Sequence, residues 1–255
     1  MVKLKIFFSL LFFVQVATAQ VTIKDYSIGQ STIQIKTEYF QPVHQGIYFV
    51  NLHSNETTSI EATTSYLTNI GGSLLQLVHG EVRYVNFLLN NISYKIDPNR
   101  IFTPLGRKET LKKNSTYNLQ AEKETAQFAD TILAQLQNPR LIVAMHNNTD
   151  KDFSITSYTK GKNEAINAAD VYINNAMDAD DFVYTTERSI FEHLKKQQIN
   201  VVLQKIKGFK DDGSLSIYCG IKHIPYINIE AQEGHKEQQL QMLQALTAIL
   251  EWYKK

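Results

Sequence analysis

Short apolar runs of strand length, separated by segments with helical spacing, constrain this chain more than any other feature of its sequence. "GIYFVNLH" (46–53), "RLIVAMH" (140–146) and "IPYINIE" (224–230) are almost continuously apolar and too short for buried helices, so they read as buried strands. Between them, "TTSIEATTSYLTNI" (57–70) sets Ile60, Tyr66, Leu67 and Ile70 at helical spacing, and Gly71-Gly72 closes it. "AEKETAQFADTILAQLQ" (121–137) likewise lines Phe128, Ile132, Leu133 and Leu136 along one side. "STIQIKTEYF" (31–40) alternates as a strand; "SLLQLVHG" and "VRYVNFLLNNISYKID" read as further strands with a hairpin turn at Asn90-Asn91. "DFVYTT" and "NVVLQK" are strands flanking a helix at "RSIFEHLKKQ"; "SLSIYCGIKH" reads as helical, and "HKEQQLQMLQALTAILEWYKK" as one C-terminal helix. The pattern predicts an α/β domain: a mostly parallel or mixed twisted sheet with helices on both faces.

The opening "MVKLKIFFSLLFFVQVATAQ" has a basic start (Lys3, Lys5), an apolar stretch from Ile6 to Val14, and small residues at Ala17 and Ala19. This is the layout of a secretory signal peptide cleaved after Ala19. The expectation is therefore a leader at 1–19, a single domain at 20–255, and a secreted or periplasmic protein without stable membrane insertion. The net charge of +1 comes without a basic block, which leaves no electrostatic case for nucleic acid. Cys219 is the single cysteine, so an intramolecular disulfide framework is excluded, and a metal site would need His and carboxylates.

His53, His146 and Glu230 each close one of the apolar runs, and Glu56 follows His53 on the turn into a helix. Ligands of open α/β sheets bind beyond the carboxyl ends of the strands, so these groups are expected to share one crevice. Zinc suits the set. Catalytic zinc takes about three His or carboxylate ligands and keeps a position open for water. His53, Glu56 and His146 are the expected ligands, and Glu230 the general base that takes a proton from water. His44, His79, His193 and His223 fall in loop or helix-surface contexts and receive no role. Glu233 and His235 follow Glu230 closely; they either contact substrate, support the site by hydrogen bonds, or open the last helix.

With "NLHSNE", "DPNR", "IVAMHNN" and "YINIE" in this order, the chain resembles the zinc carboxypeptidase superfamily, including its succinylglutamate desuccinylase/aspartoacylase branch. The resemblance spans about residues 46–233. It implies zinc on His53, Glu56 and His146, Glu230 as base, and Asn99 with Arg100 holding a substrate carboxylate. A guanidinium is a two-pronged donor matched to that group. Arg83 and Arg107 are candidates for a second arginine that polarises the scissile carbonyl, and Tyr218 and Tyr226 for a catalytic tyrosine. The expected activity is hydrolysis of an amide bond in a peptide or N-acyl amino acid. The alternative is a non-catalytic peptide- or metal-binding protein on the same fold.

Overall fold

A computed structural model describes residues 19–149 and 153–254; apart from Ala19, the expected leader lies outside the described residues. The chain runs β1 (Gln20–Ile28), β2 (Ser31–Phe40), β3 (Ile47–Asn51), α1 (Thr57–Ile70), β4 (Gly72–Val78), β5 (Val85–Leu89), β6 (Ile92–Ile96), α2 (Pro104–Asn114), α3 (Leu119–Gln135), β7 (Leu141–Asn148), β8 (Ala168–Tyr172), β9 (Phe182–Thr185), α4 (Arg188–Lys196), β10 (Val201–Gln204), α5 (Leu215–Lys222), β11 (Tyr226–Gln232), α6 (Lys236–Ala245) and α7 (Thr247–Lys254). Nine strands form one sheet in the order β1-β2-β4-β3-β7-β11-β9-β10-β8. Its centre, β4-β3-β7-β11, is parallel, while β2 pairs antiparallel with β4 and β9 with β11. The sheet is therefore mixed, and its parallel core consists of the apolar runs, as burial on both faces requires.

The strands alternate between two cores. Val50, Ile142, Ala144 and Tyr226 face one, where α3 adds Phe128 and Ile132 and α5 adds Leu215 and Cys219. Phe49, Val143, Met145, Ile227 and Ile229 face the other, closed by Leu67 of α1, Phe191 of α4, Leu243 of α6 and Leu250 of α7. Helices thus cover both faces. Outside the main sheet, β5 and β6 form the expected hairpin, with φ of 52° at Asn90 and 62° at Asn91. Two successive positive φ values suit a tight hairpin turn, and asparagine tolerates them.

Four features depart from the sequence reading. Strands β7 and β11 do not stop at His146 and Glu230 but continue to Asn148 and Gln232, because the pairs Ala231↔Asn147 and Gln232↔Asn148 extend the ladder between them. The C-terminal helix is two helices meeting at Leu246, which lets Met242 and Leu243, then Ile249 and Leu250, reach the same core. Strands β1 and β8 carry no clean alternation; β1 is held by nine register pairs with β2 rather than by burial. Helix α2, "PLGRKETLKKN", buries only Gly106, Thr110 and Leu111, so it has almost no apolar period. Its start is marked instead by Thr103, whose hydroxyl accepts from the Gly106 N–H, and by Pro104 in the first turn.

Candidate metal centre and cleft

The tight turn "HSNE" joins β3 to α1, with the Glu56 N–H donating to the His53 carbonyl at 3.1 Å. Ser54 fixes it to β4: its hydroxyl donates to the Leu77 carbonyl (2.8 Å) and accepts from the His79 N–H (3.0 Å). Glu56 is the N-cap residue of α1, yet its carboxylate caps nothing. The free Ser59 N–H is satisfied from the neighbouring strand by Asn147 Oδ1 at 3.0 Å. A cap supplied by β7 releases Glu56 to turn into the cleft.

There Glu56 bridges two imidazoles. Its Oε1 lies 2.7 Å from His53 Nδ1 and its Oε2 lies 2.9 Å from His146 Nδ1, while the two Nδ1 atoms are 3.3 Å apart. Three potential donor atoms from these residues all fall within 4.8 Å of one another, and all three residues are buried. His53 Nε2 meets Asp97 Oδ1 at 2.9 Å, and the same oxygen accepts from the Asn99 N–H at 2.9 Å. A carboxylate on the outer nitrogen fixes the imidazole so that Nδ1 faces the centre, which is how metal-binding histidines are commonly held. Within "DPNR" the sequence pattern assigns Asp97 no role. Its signal was its place two residues before Asn99, where one carboxylate serves both the turn and His53.

The charges interlock. Burial opposes a charge on His53, but Glu56 and Asp97 outweigh it and raise its pKa to about 9. Burial would also push Glu56 up; His53 and His146 overcome this and hold it at about 2. Asp97 is likewise held low against burial by His53, Arg100 and Arg83. Without an ion, the centre therefore retains positive charge on its own histidine. Two ring nitrogens and a carboxylate of depressed pKa, turned inward around one point, form a donor set that suits a divalent cation such as zinc.

Glu230 is the register partner of His146, one strand over, and strand alternation puts both on the same face. It is 9% exposed, and its Oε1 accepts from Asn228 Nδ2 at 2.9 Å. Burial raises its pKa; His146 lowers it and Glu56 raises it further. Asn99, Arg100, Arg83 and Glu233 line the same cleft, of about 430 Å³, with the histidines, Glu56 and Glu230. Asn99 Oδ1 accepts from the Leu215 N–H (3.0 Å), and its Nδ2 lies 3.3 Å from His146 Nε2, leaving one Nδ2–H for a ligand. Arg100 donates from Nη1 to the Asn99 carbonyl at 2.7 Å, and its Nε sits 3.5 Å from Asp212 Oδ2.

The remaining candidates separate. Arg83 bridges Glu56 (3.2 Å) and Asp97 (3.3 Å) at the cleft wall, whereas Arg107 donates to the Ile101 carbonyl and does not line the cleft. Tyr226 lines a cavity beside Arg100 and Glu230, whereas Tyr218 packs against Phe102. His235 pairs with Asp181 at 2.9 Å and begins α6, outside the cleft lining, while Glu233 stays within it. A larger groove of about 880 Å³ lies near Gly46 and Arg140, at the opposite ends of β3 and β7, and carries no carboxylate.

The sequence matches no family model and no curated protein. Among solved structures it is similar to the LapA aminopeptidase of Legionella pneumophila, with 8% identity, 85% of this chain and 49% of that chain covered, and a TM-score of 0.37. It is similar also to the murein-tripeptide amidase MpaA from Escherichia coli O157 (12% identity, 87% of each chain, TM-score 0.44). A third is the product-bound ectoine utilization protein EutE (DoeB) from Ruegeria pomeroyi (10% identity, 92% of this chain and 68% of that chain, TM-score 0.48). The chain spans about half the length of the LapA chain.

Proposed function

We propose that this chain is an exported zinc-dependent hydrolase that cleaves an amide bond in a peptide or N-acyl amino acid with a free carboxylate. The observation that carries the reading is the convergence of His53, Glu56 and His146 with a buried carboxylate, Glu230, in register beside them. Zinc held by the three residues would polarise the scissile carbonyl and make water acidic enough, towards a pKa of about 7, for a carboxylate to deprotonate. Glu230 takes a proton from the attacking water and returns it to the leaving nitrogen as the C–N bond breaks. Burial raises its pKa above the ordinary carboxylate value, which makes it the stronger base. Arg100 and the spare Asn99 Nδ2–H hold the substrate carboxylate, and Arg83, at the cleft wall, would donate to the carbonyl oxygen as charge develops on it. Export rests on the leader and favours peptides outside the cytosol.

Glu230→Gln keeps the shape of the cleft and removes the base. The expected result is stoichiometric zinc by elemental analysis with hydrolysis of N-acyl dipeptides reduced about 10²–10⁴-fold. Wild-type activity in this variant would remove Glu230 from the reaction. Wild-type protein that binds zinc and peptide but hydrolyses neither peptides nor N-acyl amino acids would be the binding protein instead.

A further inference from the structure

At the β8 edge of the sheet, the turn that leads into β8 meets the loop that leaves β10. The ladder between these strands passes Gln204↔Ala168 and gains one more bond, from the Lys205 N–H to the Asn167 carbonyl at 2.8 Å. Buried Asn167 also ties down the far end of the loop, its Oδ1 accepting from the Lys210 N–H at 2.8 Å. One residue beyond that bond on each segment stand Ile166 and Ile206, 47% and 74% exposed. Among the described residues no large apolar side chain is more exposed than Ile206. It lines a hollow of about 600 Å³ with Leu203, Cys219, Ile224 and Pro225, and Ile221, 47% exposed, follows Gly220 on the rim. One exposed isoleucine is ordinary; three around one apolar hollow mark a surface that meets a partner.

The charges say which partner. Lys160 and Lys162 precede Ile166, Lys205 and Lys207 flank Ile206, and among the described residues none of the four forms an ion pair. A Cβ on Gly161 or on Gly208 would meet nothing within 4 Å, so both turns project into open space. Neighbouring carboxylates are engaged elsewhere. Glu164 accepts from the Asn167 amide (2.7 Å), Asp211 from the Thr103 hydroxyl (2.8 Å), and Asp170 pairs with Arg188 (2.8 Å). Asp212 faces Arg100 at 3.5 Å, which leaves Glu187 as the one carboxylate lining the hollow. Lysine is depleted in protein–protein interfaces, whereas anionic lipid headgroups attract it and the boundary beneath them takes apolar side chains.

We infer that this corner of the sheet docks peripherally on an anionic lipid bilayer. Ile166, Ile206 and Ile221 enter the headgroup boundary, and Lys160, Lys162, Lys205 and Lys207 lie among the lipid phosphates.

Vesicle sedimentation of the full chain tests this. One set of vesicles is phosphatidylcholine alone; in the other, phosphatidylglycerol replaces part of it. Partitioning is expected to be roughly tenfold stronger on the anionic vesicles and to weaken as salt is raised. Ile206→Ser should lower it roughly tenfold, and Lys205→Gln combined with Lys207→Gln roughly 10–30-fold. Ile23→Ser, at a residue 55% exposed on β1 at the opposite edge of the sheet, should leave it unchanged. No binding to either vesicle, equal binding to both, or an equal loss in Ile23→Ser overturns the inference, and the first two need no variant to fold. A dimer in solution that Ile206→Ser dissociates, without vesicle binding, would make this corner an interface between two copies of the chain instead.

Discussion

At the scale of single residues, the site is a set of side chains diverted from ordinary duties. Glu56 leaves its own helix uncapped, Asn147 replaces it from another strand, and Asp97 divides one oxygen between a turn and His53. The result fixes the sign of a pH effect. With its pKa raised to about 9, metal-free His53 is protonated at neutral pH, and an ion can use Nδ1 only after that proton leaves. Zinc binding at pH 7 should therefore release about one proton, and apparent affinity should rise roughly tenfold per pH unit until His53 is neutral without the ion. Calorimetry in buffers of different ionisation enthalpy measures this directly. Zinc uptake without proton release at pH 7 would show that His53 is not a protonated ligand.

Among elements, the position of Arg100, the proposed clamp, depends on a backbone contact. Gly106 of α2 and Gly213 before α5 meet so closely that a Cβ on Gly213 would lie 2.4 Å from Gly106 Cα and 2.5 Å from the Arg100 carbonyl oxygen. Gly213 also has φ +78°, and its carbonyl accepts from the Phe102 N–H at 2.9 Å. Gly213→Ala adds a left-handed strain to a clash with backbone. It should cost about 2–4 kcal/mol in urea unfolding and displace Arg100, raising KM more than it lowers kcat. Unchanged stability and KM would mean that the loop holding Arg100 is not set by this contact.

For the molecule as a whole, the proposed ligands come from the β3–α1 turn and from β7, so the site exists only once the parallel centre has formed. An ion that binds the folded state alone stabilises it by mass action, about 2.7 kcal/mol at one hundred times its Kd. For a domain of this size, zinc should raise the melting temperature by roughly 5–10 °C, and a chelator should reverse the gain. A melting temperature indifferent to both would exclude tight zinc binding to the native fold.

The parallel core, the hairpin at Asn90-Asn91 and the positions of His53, Glu56, His146 and Glu230 near strand ends are written in local pattern, because apolar period and turn chemistry act over a few residues. Helix α2 and strand β1 are not, since cap bonds or strand pairing hold them where no apolar stripe does. Tertiary structure alone decided how the site closes. His53 and His146 lie 93 residues apart and stand 3.3 Å apart at their ring nitrogens only because β3 and β7 are neighbours. Strand order likewise set Glu230 beside His146, and tertiary packing chose Arg83 over Arg107 for the cleft, turned Asp97 onto His53 and left His235 with Asp181. Local sequence fixes which way a chain bends, whereas the distance between side chains far apart in it depends on which strands pair and in what register.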